Sequence, residues 1–180
     1  MRRFVRLALI ASIVANINCG SATNPTGTGS SGSSGSGSNN LRGTMSATIA
    51  NIPWTANGSV TATYSPAQNN VGVSVLNLVG QDSPLTQTLV FAVGSATVGT
   101  ALTPGIYQVG TSTGTNALLT VTTGAITTYQ ASGPVGTGTV TINTFSTATR
   151  RASGTFNFVV IQSGGSAQKA IAGGAFDVTF

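Results

Sequence analysis

The stretch SGTFNFVVI, residues 153–161, decides the fold class. Apolar and polar side chains alternate along it, so that Phe156, Phe158 and Val160 share one face. A period of two is typical of a β-strand that buries one face. Gly154 interrupts the pattern and predicts a bulge or a close approach of two backbones.

The end of the sequence, GAFDVTF at 174–180, carries the same alternation. Phe176, Val178 and Phe180 fall on one face, and we interpret Gly174 as a second site of bulging or close approach. Two such strands can pair aromatic against aromatic, at about 0.2–1 kcal/mol per cross-strand pair. We therefore expect the phenylalanines of both strands to be structural anchors of the core: Phe156, Phe158, Phe176 and Phe180.

Upstream of these two strands, the pattern continues back to Leu41, with turn residues at intervals of roughly eight to twelve residues. No amphipathic helix pattern follows residue 15. We predict an all-β fold, an antiparallel β-sandwich or flattened barrel of about nine or ten strands, preceded by a signal peptide and a disordered linker. The predicted strands are 45–50, 59–64, 71–79, 86–93, 106–109, 116–122, 125–130, 137–145, 153–161 and 170–180.

Local patterns predict the placement of two of these strands and of one aromatic residue. Thr123 and Gly124 separate two strands, which predicts a hairpin. The strand at 71–79 has apolar residues on both faces, which predicts a central strand covered on both sides. Trp54, the only tryptophan, follows Pro53 in what we interpret as a turn. We expect it to be a structural anchor in the core rather than a stacking platform for a ligand.

Several of these motifs are similar to those of a known group of proteins. The segments IPWTA at 52–56, GTVTI at 138–142, SGTFNF at 153–158 and GAFDVTF at 174–180 resemble a family of uncharacterised β-rich bacterial envelope lipoproteins. The likeness covers about residues 41–180 and rests on short motifs. The resemblance implies a fold and an envelope location, and it brings no activity, substrate or catalytic residue with it.

The first eighteen residues predict an export signal. Arg2, Arg3 and Arg6 form a basic start, and LALIASIVA at 7–15 is an apolar run of signal-peptide length. The run is too short for a membrane-spanning helix, which needs about 20 residues. Cys19, the only cysteine of the chain, follows closely. We predict that Cys19 is the lipid-attachment site of a bacterial lipoprotein.

Two residues before Cys19 depart from the lipoprotein pattern. That pattern prefers Leu three residues before the cysteine and Gly, Ala or Ser directly before it, where this chain has Asn16 and Asn18. The alternative is an ordinary signal cleaved after Ala15 or Ala22, which leaves a soluble secreted protein. The position of the cysteine just after the apolar run favours lipid attachment.

Residues 20–40 are dominated by Gly, Ser and Thr, with SGSSGSGS at 31–38. Such a segment buries too little apolar surface to offset its ordering entropy. We predict a tether with an r.m.s. span of about 25 Å. The predicted organisation is a signal peptide at 1–18, the attachment cysteine and tether at 19–40, and a single β domain at 41–180.

The positive charge of the chain belongs mainly to the predicted signal. Three of its seven basic residues lie before residue 7, which leaves four basic residues against two acidic ones. A nucleic-acid interface needs a clustered basic face with base-stacking aromatic side chains, so we predict no nucleic-acid partner. Charged residues make up 5% of the chain, against about 25% in a typical domain. We expect hydroxyl and amide side chains to keep the domain in solution.

The residue inventory disfavours catalytic and metal chemistry. The chain has no histidine, and Cys19 lies outside the predicted domain, so we predict no catalytic residue, no cofactor and no metal site. Asp82 and Asp177 could form an acid–base pair, but we favour a turn cap for Asp82 and an exposed edge-strand position for Asp177. Arg150 and Arg151 could bind an anion, but we favour a solvated turn.

We therefore expect a lipoprotein anchored to the outer membrane through Cys19, whose non-catalytic β domain has a binding or structural role in the envelope. An envelope protein or a glycan is the expected kind of partner. The alternatives are a soluble secreted β protein and a small outer-membrane β-barrel protein, the latter suggested by Phe180 in step with Val178 and Phe176. Against that barrel, most predicted strands are shorter than the 9–11 residues of a spanning strand, and aromatic residues make up only 6% of the chain.

Overall fold

The computed structural model describes residues 42–68, 72–95, 97–109 and 114–180. The regular structure in these ranges is entirely β, and every strand pair is antiparallel, which confirms the predicted fold class. The predicted signal peptide and tether lie outside the described residues. The strands are β1 (Gly43–Ile49), β2 (Ile52–Thr55), β3 (Ser59–Ser65), β4 (Val75–Gln81), β5 (Gln87–Gly94), β6 (Gly105–Gln108), β7 (Asn116–Val121), β8 (Thr127–Ala131), β9 (Thr137–Ser146), β10 (Arg151–Gln162) and β11 (Gln168–Thr179).

The strands form one sheet that curls strongly into a half-barrel, consistent with the predicted sandwich or flattened barrel. The main path runs β2-β1-β11-β10-β8-β7-β5-β4-β3. β10 is the branching point, because it pairs with β9 along Arg151–Val159 and with β8 only at Ile161 and Gln162. β6 pairs with β9. One half of the sheet thus contains β2, β1, β11, β10, β9 and β6, and the other half contains β8, β7, β5, β4 and β3.

The two halves meet at Phe91 of β5. The centroid of its ring lies 4.8 Å from that of Phe156, 5.5 Å from that of Phe158 and 5.8 Å from that of Phe176. All four side chains are buried. Aromatic pairs at such distances contribute about 0.5–1.5 kcal/mol each beyond the burial of their area. Three of the four expected aromatic anchors therefore lie in one cluster, held from the opposite half by a fourth ring.

The strands β10 and β11 pair glycine against phenylalanine. Gly154 lies opposite Phe176, and Phe156 lies opposite Gly174. A Cβ added at Gly174 would lie 2.3 Å from the ring of Phe156, and one at Gly154 would lie 2.8 Å from the ring of Phe176. Each ring covers the glycine of the other strand, so the predicted close approach is present at both. The expectation that aromatics face each other directly is wrong, since Phe156 and Phe176 are diagonal neighbours 6.5 Å apart.

A β-bulge in β11 accompanies this pairing. The register of β11 slips near Ala172 and Gly174 against both neighbouring strands, β10 and β1. Gly173 has a φ of +59°, in the left-handed region that favours glycine. Its N–H donates a hydrogen bond to Oδ1 of Asn157 at 2.9 Å. The bulge bends the strand beside the aromatic cluster.

The described residues form eleven strands, one more than the upper end of the predicted range, because 52–55 form β2 rather than a turn. The turn lies one step earlier, at Ala50 and Asn51, which have φ values of +50° and +67°. Two positive φ angles match the tight hairpin turn that suits the twist of paired strands. Pro53 is tolerated in β2 because this strand lies at the edge of the sheet and pairs only with β1.

Two local predictions are partly confirmed. β7 and β8 form the predicted hairpin, but Val121 pairs with Thr127, so that the loop spans 122–126 instead of two residues. β4 is central in its half, since it pairs with both β3 and β5. Its Leu76 and Leu78 are fully buried, whereas its other face is only half-buried. The prediction that both faces of this strand are covered is therefore wrong. It arose because Val75 and Val79 are apolar although they lie on the half-buried face.

Replacing Phe156 by Ala should destabilise the domain by about 3–5 kcal/mol, because it removes a fully buried ring that packs on Phe91 and on Gly174. The measurement is urea unfolding followed by tryptophan fluorescence. The matched control is Thr155→Ala, the exposed neighbour on the other face of β10. Equal losses for the two variants would contradict the placement of the ring in the core.

Replacing Gly174 by Ala should cost about 1–3 kcal/mol, because the new methyl group meets the ring of Phe156 and this ring is packed on its far side. Gly165→Ala is the control, since a Cβ there lies 3.3 Å from the flexible side chain of Gln162. Both variants are compared by thermal unfolding. If the Gly174→Ala protein is as stable as the control, the packing of the Phe156 ring does not require a glycine at position 174.

Candidate functional site

Two kinds of site are not found in the part of the chain that the structure describes. No helix in it is long and apolar enough to cross a membrane. No three His, Cys, Asp or Glu side chains come together in these ranges in a way that could hold a metal ion. Cys19, the predicted lipid-attachment site, lies outside the described residues.

Trp54 lies in the core between the two halves of the sheet. It is 6% exposed, and its ring covers Gly80 of β4 together with the thioether of Met45. Its indole Nε1 is buried and has no hydrogen-bond partner among the described residues. An unpaired buried donor costs about 1–3 kcal/mol, which the apolar contacts of the ring must exceed. The ring is thus committed to packing and offers no surface for stacking a ligand.

The two carboxylates of the domain have separate local partners. Asp82 accepts hydrogen bonds from the hydroxyl of Thr86 and from the backbone N–H of Gln87 at 2.7 Å, so it caps the turn before β5 as expected. Asp177 accepts from Nε of Arg151 at 2.8 Å and from its Nη2 at 2.6 Å. The predicted edge position of Asp177 is wrong, because β11 lies between β10 and β1.

The ion pair of Arg151 with Asp177 also favours the charged form of both groups. The hydrogen bond from Arg151 is the main cause that lowers the pKa of Asp177, and the same bond raises the pKa of Arg151. Asp177 therefore stays ionised at neutral pH and is unsuited to donate a proton. Of the two arginines predicted together in a solvated turn, Arg151 begins β10 and is paired, whereas Arg150 remains in the turn.

An open cleft lies where the turn between β9 and β10 meets β3 and the end of β11. Its volume is about 580 Å³, within the roughly 300–1,000 Å³ of small-molecule sites. The turn contributes a cationic side chain, and a second cation comes from the residue before β1. The lining includes Arg42, Tyr64, Pro66, Thr147, Arg150 and Phe180.

A second aromatic cluster forms the wall of this cleft. The ring centroid of Tyr64 lies 5.0 Å from that of Phe145 and 5.5 Å from that of Phe180, and Phe145 stacks on Phe180 at 5.4 Å. Phe180, one of the expected anchors, is 7% exposed. The cluster joins β3 to β9 and to the end of the chain, across the seam where the curled sheet approaches itself.

The end of β11 positions both arginines of the cleft through their backbones. The N–H of Thr179 donates to the carbonyl of Arg42 at 2.7 Å, and the N–H of Phe180 donates to the carbonyl of Arg150 at 2.9 Å. Successive N–H groups of a strand point to opposite sides, so the arginines flank β11 and lie about 10 Å apart, or two interstrand spacings. Arg150 has a φ of +53°, a left-handed conformation uncommon for a residue with a side chain.

A second depression, of about 410 Å³, lies on the outer face of the sheet near the bulge of β11. Its lining includes Gln108, Thr139, Asn157 and Val159, and it contains no charged side chain. This depression could therefore bind a ligand by shape and hydrogen bonds, but it has no charged group that would distinguish ligands by their charge. The cleft with the two arginines is the better candidate for a functional site.

Comparisons of the chain with protein-family models, with curated proteins and with solved structures find no match. The candidate site must therefore be judged from its own geometry and charge. The sequence patterns did not single out Arg42, Tyr64 or Phe145 as site residues. The available signals were weak: the position of Arg42 directly after the tether, and an aromatic residue next to a proline turn at Tyr64. No local sequence pattern predicts that these residues lie near Arg150 in the folded protein.

The double variant of Arg151→Gln with Asp177→Asn should reveal a coupling that depends on pH. Since the folded-state pKa of Asp177 is lowered, the pair stabilises the fold above the ordinary carboxyl pKa of about 3.9 and loses this contribution as the pH falls through the lowered value. A double-mutant cycle by thermal unfolding should therefore show coupling at pH 7 that decreases as the pH falls through the lowered pKa of Asp177. Lys169→Gln with Asp177→Asn is the control and should be additive over the same pH range. Coupling of Arg151 and Asp177 that persists in acid would contradict an ionic pair.

Proposed function

We propose that this chain is an exported bacterial lipoprotein, anchored to the outer membrane through Cys19, whose β domain acts in the envelope by binding rather than by catalysis. The basic start, the apolar run and the single cysteine support export and anchoring. The likeness of residues 41–180 to β-rich envelope lipoproteins supports the location. The observation that carries the binding role is the cleft between Arg42 and Arg150.

The groups in this cleft are suited to recognition. Both charged side chains are arginines, whose planar guanidinium groups are suited to holding a carboxylate or a phosphate. The hydroxyl of Thr147 has no histidine to activate it, since the chain contains none. Asp82 and Asp177 are held by other partners. A cleft of fixed positive charge with an aromatic wall favours a ligand that is held rather than transformed.

The outer face of the sheet supports a domain surrounded by water. One row across β9, β10, β11 and β1 contains Thr141, Thr155, Ala175 and Ser46, which lie opposite one another in register, and on β6 the row continues with the exposed Ile106. The four small or hydroxylated side chains point away from the aromatic core, and three of these four are exposed. Such a face is easily hydrated. In the proposal, the predicted tether at 19–40, with a span of about 25 Å, holds the domain away from the lipid headgroups.

The anchoring proposal predicts a specific mass for the mature protein. When the full chain is expressed with its own signal in a Gram-negative host, intact-mass spectrometry should find a protein that begins at Cys19 and carries acyl chains. Cys19→Ser should abolish both the cleavage and the acyl mass, whereas Ser21→Ala should change neither. Asn16→Leu with Asn18→Ala should increase the processed fraction, because it restores the pattern that the signal peptidase prefers.

Three results would refute parts of this proposal. A mature mass that corresponds to cleavage after Ala15 or Ala22 without lipid would indicate a soluble secreted protein. A Cys19→Ser variant from which the signal has been removed, and which still resists extraction by carbonate, would indicate an integral membrane protein. Hydrolase activity that is lost in Asp82→Asn would indicate an enzyme.

A further inference from the structure

The cleft carries positive charge that no acidic side chain of the protein neutralises. The sequence contains only two acidic residues, and both are engaged elsewhere, Asp177 by Arg151 and Asp82 by its own turn. Within the described ranges, the one ion pair shorter than 4.0 Å is that of Arg151 with Asp177. Neither Arg42 nor Arg150 therefore pairs with a carboxylate side chain in these ranges. An anion from outside the chain is the partner that these two guanidinium groups lack.

The placement of the two arginines suits one anion between them. They extend from either side of the end of β11, from backbones about 10 Å apart, and both line the same cleft. A guanidinium group forms two parallel hydrogen bonds with a carboxylate, and this geometry is stronger and more specific than a single contact. Two long side chains on opposite sides can therefore close on one carboxylate group.

The remaining polar groups of the cleft are hydroxyls. The side chains of Tyr64 and Thr147 have no hydrogen-bond partner among the described residues, and both line the cleft. Three backbone N–H groups nearby are already used, since those of Arg42, Thr179 and Phe180 donate to the carbonyls of Val60, Arg42 and Arg150, respectively. An extended peptide would need such backbone donors. A ligand rich in hydroxyl groups needs only the side chains that are present.

We infer that the cleft binds an acidic saccharide, with a sugar carboxylate between Arg42 and Arg150, the sugar ring against Tyr64 and the sugar hydroxyls near Thr147. This inference deepens the proposed binding role and rests on it. The cleft is open, so a longer glycan chain can pass through it. A membrane surface fits less well, because the two cations line a concave cleft. Nucleic acid fits less well too, because its backbone demands many phosphate contacts.

The test measures binding of a defined probe to the full chain in mild detergent, so that its outcome does not depend on acylation of Cys19. The probe is tetragalacturonate, and the matched neutral probe is its methyl ester, which has the same rings without the charge. Tetragalacturonate should bind. The affinity of the ester should be lower by a factor of about ten or more, because the ester cannot form charge-assisted hydrogen bonds. Isothermal titration calorimetry measures both.

Variants separate the cleft from general positive charge. Arg42→Gln and Arg150→Gln should each weaken the binding of tetragalacturonate about tenfold or more. Lys169→Gln is the matched control: it removes the same charge at the start of β11, away from the cleft, and should change the binding less than about twofold. The melting temperature of each variant, compared with that of the unchanged protein, verifies that the domain remains folded.

Four outcomes would overturn the inference. They are no binding of tetragalacturonate, equal binding of its methyl ester, unchanged binding in the folded Arg42→Gln and Arg150→Gln variants, and binding only to phosphatidylglycerol vesicles. The last outcome would assign the cleft to lipid phosphate. The lipid anchor is tested separately, by the intact mass of the mature protein. If that proposal fails, the calorimetric result for the cleft remains valid, because the binding measurement does not depend on acylation of Cys19.

Discussion

The packing of Phe91 against three rings of the opposite half is the interaction on which the rest of the structure depends. The hydrogen-bonded link between the halves through β8 and β10 consists of two residue pairs, at Ile161 and Gln162, and one further bond from the N–H of Ser163 to the carbonyl of Thr128. At the opposite seam, the N–H of Arg42 donates to the carbonyl of Val60. So few hydrogen bonds contribute little to the stability of the curled sheet. The burial of the aromatic rings must therefore provide most of the stabilisation that keeps the two halves together. The glycines opposite Phe156 and Phe176 make room for those rings. A small set of aromatic and glycine positions therefore determines how far the sheet closes.

The closure of the sheet also creates the candidate site. It brings Tyr64 of β3 against Phe145 and Phe180, and it places the two arginines on either side of the last strand. The low number of acidic residues also affects the pairing of charges at this site. In a chain with many carboxylates, exposed arginines have partners nearby, whereas here both carboxylates are committed to other contacts. The two arginines of the cleft therefore pair with no carboxylate side chain in the described ranges, which supports the proposed binding role.

The errors of the sequence-based predictions have identifiable physical causes. β2 was predicted as a turn, because Pro53 favours turns and because Ala50 and Asn51 lack the glycine that usually marks a two-residue hairpin. Asp177 was placed at an edge, because alternation shows which face a residue occupies but not which strands lie beside it. For the same reason, the alternation within one strand could not predict that Phe156 pairs with Gly174, because it does not determine the register between strands.

The sequence by itself determined the all-β class, the inward face of each aromatic strand and the burial of Trp54, because these follow from the period of side-chain alternation and from the size of the apolar groups. It also limited the chemistry, since the chain has no histidine and two carboxylates. Only the tertiary structure decided the strand order, the register and the cleft. Arg42, Tyr64 and Arg150 are far apart in the chain, and they meet only because burial of the Phe91 cluster curls the sheet until its distant strands approach each other.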